Sequence, residues 1–398
     1  MDITKIRHDF PVLSENGIYF DNACQSLRPQ SVINAVTEYY QEYSACAGRS
    51  NHHLAAKVTQ KCDEARTRIA KFLHAKRKEE IVFTRNTTEG INLVANTLNL
   101  KEGDVVLTSD KEHNSNLIPW QILHRKSGII HRIVRSRDDN TFDMDAYKQA
   151  LESGVKLVSL GMTSNLDGVT IPAAEIIKLA HQDGAVVLLD AAQAIPHQVI
   201  DVRKLDVDFL AFSGHKMLGP SGTGVLYGKY ELLEKLSPFL VGGDTVSSST
   251  YDSCEFLPPP EKFEAGLQDY AGIIGLGEAV SYLERIGFAQ IQKQEYALNS
   301  YITEELQKIP NLVILGPSDP KERSGIISFY ISGKDHHQIA LMLDASTKIM
   351  VRSGQHCVHS WFADRKIPGS VRASVYFYNT LEEAELFVKE LHKVLSIL

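Results

Sequence analysis

Asp208-Phe-Leu-Ala-Phe-Ser-Gly-His-Lys216, continued by Met-Leu-Gly-Pro-Ser-Gly-Thr-Gly224, is the stretch on which the reading of this chain turns. Its first half is an apolar run of strand length, Asp208 to Ser213, read as a short buried strand. A small polar cluster and a lysine follow, then a turn with glycines at 219, 222 and 224, then a second apolar run from Val225 to Tyr227. A lysine just past a strand end, among a hydroxyl, an imidazole and glycines, is placed to form an imine with an aldehyde cofactor. An ordinary surface lysine is the plainer alternative. Upstream, Val186-Val-Leu-Leu-Asp190-Ala-Ala-Gln193 is a second apolar run, ending in an acid with an amide three residues on. Ligands of open parallel sheets bind beyond the carboxyl ends of strands. Adjacent strand ends carrying Asp190 and Lys216 can therefore grip opposite sides of one flat ring.

Around this pair, strand and helix patterns alternate. Strands are expected at Ile81–Thr84, Asp104–Ser109, Ile129–Val134, Val155–Met162 and Ala185–Asp190. Helices are expected between them, near 87–98, Pro119–Lys126, Met144–Glu152 and Pro172–Gln182. Such alternation predicts right-handed β-α-β units in one mostly parallel sheet. Before it, residues 1 to about 15 read as a short helix and loop, and helices are expected near Pro29–Tyr43 and Ala55–Leu73. Beyond it, a Gly/Ser/Thr/Pro-rich loop from Gly242 to Pro260 leads to a helix around Ile273–Ile286. A smaller α+β unit follows, with helices near Ala289–Gln307 and Leu381–Leu398 and strands near Leu312–Leu315, Gly325–Tyr330 and Ser370–Tyr376.

Several residues carry a chemical reading of their own. Asp190 can pair with a ring nitrogen and keep it protonated; a cap or a buried ion pair is the plainer alternative. Thr88 opens a helix, where free N–H groups and the dipole favour an anion such as phosphate, although a simple helix cap is compatible with the same position. Cys357, in Val351-Arg-Ser-Gly-Gln-His-Cys-Val-His359, has two histidines and an arginine as sequence neighbours, the electropositive setting in which reactive thiols occur. This stretch reads as a loop from which a nucleophile could swing towards a substrate.

Together, Asp190-Ala-Ala-Gln193 and Ser213-Gly-His-Lys216 resemble the pyridoxal-phosphate site of the class V aminotransferase and cysteine desulfurase family. The resemblance runs from Phe20-Asp-Asn-Ala23 to Tyr378-Asn-Thr380 and is nearest the SUF-type (group II) desulfurases and selenocysteine lyases. It implies a fold-type I, aspartate aminotransferase-like α/β architecture. Residues 20–262 would form the large cofactor-binding domain, and residues 1–19 with 263–398 the small one. It implies Lys216 as the lysine bound to pyridoxal 5'-phosphate and Gln193 on the ring's phenolic oxygen. Thr88, Ser213 and His215 would surround the phosphate. His113, in Glu-His-Asn-Ser-Asn, would stack on the ring and move protons, with Asn165 near ring and substrate. Arg372 would hold the substrate carboxylate, with Arg352 and His52 near it. Cys357, fifteen positions before Arg372, matches the persulfide-carrying cysteine.

The implied activity is L-cysteine desulfuration to L-alanine, with sulfur held on Cys357 for an acceptor protein, as in iron-sulfur cluster assembly. A homodimer with active sites at its interface is implied too. Selenocysteine lyase, cysteine or cystine C–S lyase, and aminotransferase or epimerase chemistry are the enzymatic alternatives, with L-selenocysteine a second candidate substrate. A silent sulfur-transfer scaffold is the non-enzymatic one. The chain departs from the family at Leu267, where a threonine usually reaches the partner subunit's phosphate. It also departs at Asn114 and Gln355, where histidines are common.

Composition fits this class. The 398 residues include 43% apolar and 23% charged, with a net charge of −7, which argues against nucleic-acid binding. No apolar run approaches the roughly 20 residues of a membrane span, and the N-terminus lacks a signal-peptide core, so a cytoplasmic protein is expected. The five cysteines, at 24, 46, 62, 254 and 357, form no Cys-x-x-Cys pair and are expected to be free thiols. Apart from Cys357 they are read as small buried side chains. His52-His53 and His336-His337 are the only local histidine clusters. Neighbouring side chains should diverge and no cysteine pair completes them, so no metal is expected.

Overall fold

Apolar-rich runs such as Val155-Lys-Leu-Val-Ser-Leu160, exposed only at Lys156, and Val186-Val-Leu-Leu189 bury nearly all of both faces of a strand, as a sheet covered by helices on both sides requires. In the computed structural model, which describes residues 2–14, 16–152 and 154–398, these runs build one seven-stranded sheet. Its strands in chain order are β1 (Ile81–Thr84), β2 (Val105–Ser109), β3 (Ile130–Val134), β4 (Val155–Gly161), β5 (Val186–Asp190), β6 (Phe209–Ser213) and β7 (Gly224–Gly228). Across the sheet they run β1-β7-β6-β5-β4-β2-β3. β2 to β6 pair in parallel, and only β7 runs against the direction of the other strands, pairing antiparallel with both β1 and β6. Alternate residues feed different cores. Val187, Leu189, Leu210 and Phe212 pack on one face, and Leu188, Phe209, Ala211 and Leu226 on the other.

Here β5 and β6 lie side by side in parallel, with Asp190 registered against Ala211. Both chain ends therefore open at the same edge of the sheet. The glycines beyond β6 are required by close packing. A Cβ on Gly214 would sit 2.2 Å from Thr223 Oγ1, and one on Gly224 would sit 2.6 Å from the Asn86 Cα.

A second, antiparallel sheet has β8 (Leu312–Ile314), β9 (Ile326–Ile331), β10 (Arg352–Gly354) and β11 (Ser370–Ser374) in the order β8-β9-β11-β10. It packs against helices Phe288–Leu306, His336–Thr347 and Leu381–Ile397 through its own core, including Phe329, Leu343, Val371 and Phe387. The N-terminal segment touches both sheets' surroundings. Ile18–Tyr19 pairs with Ile349–Met350, and Phe10 packs on Tyr282, Phe377 and Tyr378 at centroid distances of 5.8, 5.9 and 4.6 Å.

Some element expectations change. The helix expected from Pro119 begins at Asn114, because His113 Nδ1 accepts the Ser115 N–H as a cap and Pro119 lies inside the helix. The stretch around Cys357 is not all loop. It is β10, a tight turn, and then the helix His359–Arg365. Within Gly242–Pro260 the chain forms an exposed hairpin, Val246–Ser249 with Cys254–Phe256, held by backbone pairing that polar composition does not announce. The helix His336–Thr347, capped by Asp335, escaped the periodicity reading because its buried hydrophobic stripe consists of Ile339 and Leu343. His336 and His337 do not diverge: their rings lie 4.3 Å apart, and His337 Nδ1 meets Ser353 Oγ at 2.9 Å. Of the N-terminal stretch, Met1 and Glu15 lie outside the described residues, and Ile3–Arg7 is the helix.

Candidate active site

The edge where β5 and β6 end forms the floor of a cavity of about 270 Å³, close to the lower end of small-molecule sites, roughly 300 Å³. Thr88, His113, Asn165, Asp190, Gln193, Ser213, His215, Lys216, Arg352, Cys357 and Arg372 all line it. His52 does not. It caps the helix His53–Phe72, accepting the Ala55 N–H, and lies outside the cavity of its own chain.

On the floor, Asp190 is buried and one carboxylate oxygen accepts the Ala192 N–H at 2.9 Å. Burial raises its pKa, while Lys216 and that N–H oppose the rise. Lys216 is shifted the other way. Burial lowers its pKa, Asp190 opposes this, and Arg372 adds to the lowering. Gln193 donates to the Ala23 carbonyl at 2.6 Å, and its Oε1 is buried without a protein partner.

At one end, the helix Thr87–Thr97 points its N-terminus at the cavity, capped by Asn86, whose Oδ1 accepts the Glu89 N–H at 3.0 Å. The Thr87 N–H donates to Ser213 Oγ at 2.9 Å, and the two hydroxyls meet at 2.6 Å, so Ser213 fixes the helix against β6. The Thr88 hydroxyl pairs with Ser115 at 2.7 Å. His215 has its pKa pushed down to about 4 by burial and by Lys216, so it presents a neutral ring.

His113 is held as the cap of the helix Asn114–Ser127, and burial, with Lys216 and both arginines, pushes its pKa down to about 3. Because Nδ1 accepts the Ser115 N–H at 3.1 Å, the neutral ring carries its proton on Nε2.

The opposite wall comes from the second sheet. Arg352 and Arg372 stand directly across from each other on β10 and β11. Arg372, only 2% exposed, donates to the Asn165 carbonyl at 2.9 Å and reaches Asp21 Oδ1 at 3.3 Å, and its buried Nε has no protein partner. Arg352 Nη1 lies 2.9 Å from Cys24 Sγ. Cys357 sits in the turn after β10. Its carbonyl accepts the Asn114 N–H at 2.8 Å, and Asn165 Nδ2 holds the His356 carbonyl at 2.7 Å. Asn114 also reaches His359 at 2.8 Å. The residue noted as a departure thus anchors the turn that carries the thiol.

Sequence reading missed four residues here. Cys24 lines the cavity, contrary to its reading as a core thiol. His356 is buried with Nδ1 unpartnered, its pKa pushed down to about 2 by burial and the two arginines. Asp21 anchors Arg372. Glu112, next to His113 in the chain, is buried, bonded by Ser109 Oγ at 2.6 Å, Asn116 Nδ2 at 2.7 Å and the Gly161 N–H at 2.9 Å. Its pKa is pushed up to about 7, chiefly by burial. The adjacent Glu-His pair was the one signal that could have pointed to Glu112. The others come together only in the fold.

The donor set fits pyridoxal phosphate. An acid and an amine face each other across the floor, a helix N-terminus and hydroxyls close one end, and buried polar atoms of Gln193, Arg372 and His356 are left for a bound group.

A sheet of this order, with these side chains at its carboxyl edge, defines a fold-type I pyridoxal-phosphate enzyme. The Aminotransferase class-V family model matches residues 18–387, and the chain belongs to that family. It is similar to a cysteine desulfurase of Enterobacter sp. (strain 638), 39% identical over 406 residues, covering 100% of this chain and 99% of that protein. Among solved structures, the apo cysteine desulfurase of Thermococcus onnurineus NA1 superposes with a TM-score of 0.95 at 39% identity, covering 99% and 98% of the two chains. The S-sulfonic acid form of the cysteine desulfurase CsdA from Escherichia coli gives 0.93 at 33% identity, covering 100% and 99%. Among the described residues no helix is long and apolar enough to cross a membrane.

Proposed function

We propose that this protein is a pyridoxal-phosphate-dependent cysteine desulfurase that converts L-cysteine to L-alanine and retains the sulfur on Cys357. The observation that carries this reading is the meeting of Lys216, Asp190, Arg372 and the Cys357 thiol in one cavity. An aminotransferase needs the first three but has no use for a thiol.

When bound, pyridoxal phosphate supplies a sink for the electrons left at the substrate Cα. Lys216 would hold the cofactor covalently and, released by the substrate amine, remove the Cα proton. Burial lowers its pKa, which makes the neutral amine more accessible as a base. Asp190 would face the ring nitrogen and hold its proton in place. Gln193 would hydrogen-bond the ring oxygen, and Thr88, Ser213 and His215 would meet the phosphate.

Arg372 suits a substrate carboxylate because a guanidinium offers two parallel N–H bonds to two oxygens, and Arg352 opposite adds charge. The neutral His113 ring can stack on the cofactor, and its Nε2–H can deliver a proton. Cys357 Sγ attacks the substrate sulfur. An S–S bond forms, the substrate Cβ–S bond breaks, and protonation at Cβ and Cα gives alanine.

The acceptor for this sulfur is a second protein in our reading, and two copies of the chain form the working enzyme. Residues 20–262 act as the cofactor domain, and residues 1–19 with 263–398 as the small one. Incubating the pure holoenzyme with L-cysteine and measuring alanine and sulfide together tests the function. Lys216→Ala is expected to lose the yellow colour and all turnover; wild-type alanine production by that variant would overturn the cofactor assignment.

A further inference from the structure

Cys24 belongs to a turn that holds two arginines apart. β10 and β11 place Arg352 and Arg372 directly opposite each other, where like charges repel. The turn after Tyr19 supplies an acceptor to each: Asp21 Oδ1 to Arg372 at 3.3 Å and Cys24 Sγ to Arg352 at 2.9 Å. The Cys24 sulfur therefore faces into the same cavity as Cys357. Lys216 lies within electrostatic reach of both sulfurs, either of which, as a thiolate, raises its pKa. Buried Nε of Arg372, on the same wall, has no protein partner and is left for an anion.

We propose that Cys24 is a second sulfur carrier of this active site, receiving the sulfane sulfur from Cys357. The inference rests on the desulfurase reading. In the step, the Cys24 thiolate attacks the outer sulfur of the Cys357 persulfide. A bond forms between Cys24 Sγ and that sulfur, the bond to Cys357 Sγ breaks, and Cys357 leaves as a thiolate. The sulfane sulfur keeps its oxidation state, so no oxidant or reductant is needed. The Cys24 persulfide anion then faces the Arg352 guanidinium, and Cys357 is free to take sulfur from another cysteine. Thiol exchange of this kind needs only an accessible thiolate and a sulfur–sulfur bond in reach.

The test is a single burst of the holoenzyme with a few equivalents of L-cysteine, without reductant or acceptor, quenched in acid. Alanine per chain is counted, and sulfane sulfur is located by peptide mass mapping. Wild type is expected to form two alanines per chain and to carry sulfur on both the Cys24 and Cys357 peptides. Cys24→Ser, which keeps an acceptor for Arg352, is expected to form one and to carry sulfur on Cys357 alone. A wild type labelled on Cys357 but not on Cys24 overturns the relay and leaves the desulfurase reading standing. A burst of two alanines in Cys24→Ser also overturns the relay. Sulfur on Cys24 in Cys357→Ser overturns it too, since Cys24 would then take sulfur directly from the substrate. A wild type with no sulfur on Cys357 removes the desulfurase reading itself.

Discussion

Cys357 and His356 both have left-handed backbones, with φ of +60° and +49°, a conformation that costs a non-glycine residue roughly 1–2 kcal/mol. The turn is held there by the Asn114 and Asn165 bonds, which present the thiol to the cavity rather than to the core. Cys357→Ser is expected to keep the cofactor's absorption and its change on adding L-cysteine, while losing the bound sulfur and most alanine production. Undiminished alanine from this variant would favour a lyase that expels the substrate sulfur directly. Glu112 makes a pH prediction. Its folded pKa of about 7 lies above the ordinary carboxyl value of 4.5. The folded state therefore keeps a proton that the unfolded chain releases, and the associated stability is present below pH 4.5 and lost as pH rises through 7. Relative to Glu112→Gln, wild type should lose up to about 3 kcal/mol between pH 4.5 and 8 in urea unfolding. Parallel pH profiles for the two proteins would show that this carboxyl is not perturbed.

Among the elements, the helix Thr87–Thr97 depends most on local chemistry. Asn86 caps it, Glu89 sits in its first turn, and Ser213 receives the Thr87 N–H. Asn86→Ala should lower stability by about 1 kcal/mol and weaken retention of the cofactor on dialysis, because the same N-terminus closes the cavity's phosphate end. Unchanged cofactor retention would separate this helix from the site. The strand ends of β5 and β6 were legible because four-residue apolar runs closed by a polar residue are local signals. β10 and the hairpin Val246–Ser249/Cys254–Phe256 were not, since short polar strands exist only through the neighbours they pair with.

For the whole molecule, one stretch of chain exposes several large apolar side chains together. Leu240, Val241, Tyr251 and Phe256 lie on or beside the protruding hairpin, and Leu267, 65% exposed, follows it. Large exposed apolar groups on neighbouring segments mark an association face, and we expect a second copy of the chain to cover it. Sedimentation should give a dimer, and a fully active monomer would refute this. Leu267→Thr should tighten cofactor binding by the value of one charged hydrogen bond, about 1–3 kcal/mol, if the side chain meets the partner's phosphate. An unchanged cofactor affinity would place Leu267 away from it.

By itself the sequence determined the parallel sheet, the two strand ends that carry Asp190 and Lys216, and, through its likeness to a family, Cys357 and Arg372 as members of one site. These are matters of aliphatic period and of motifs compact enough to be read within a few residues. Only the tertiary structure decided that Cys24 leaves the core for the cavity, and that Arg352 and Arg372 stand opposite each other with one acceptor each. It also decided that Glu112 and His356 are buried beside the chemistry and that His52 is not. Those outcomes depend on strand register and on contacts between residues more than 300 positions apart, such as Cys24 with Arg352 and Asp21 with Arg372. No local pattern encodes such pairings, because side-chain surroundings are set by which strands pack together.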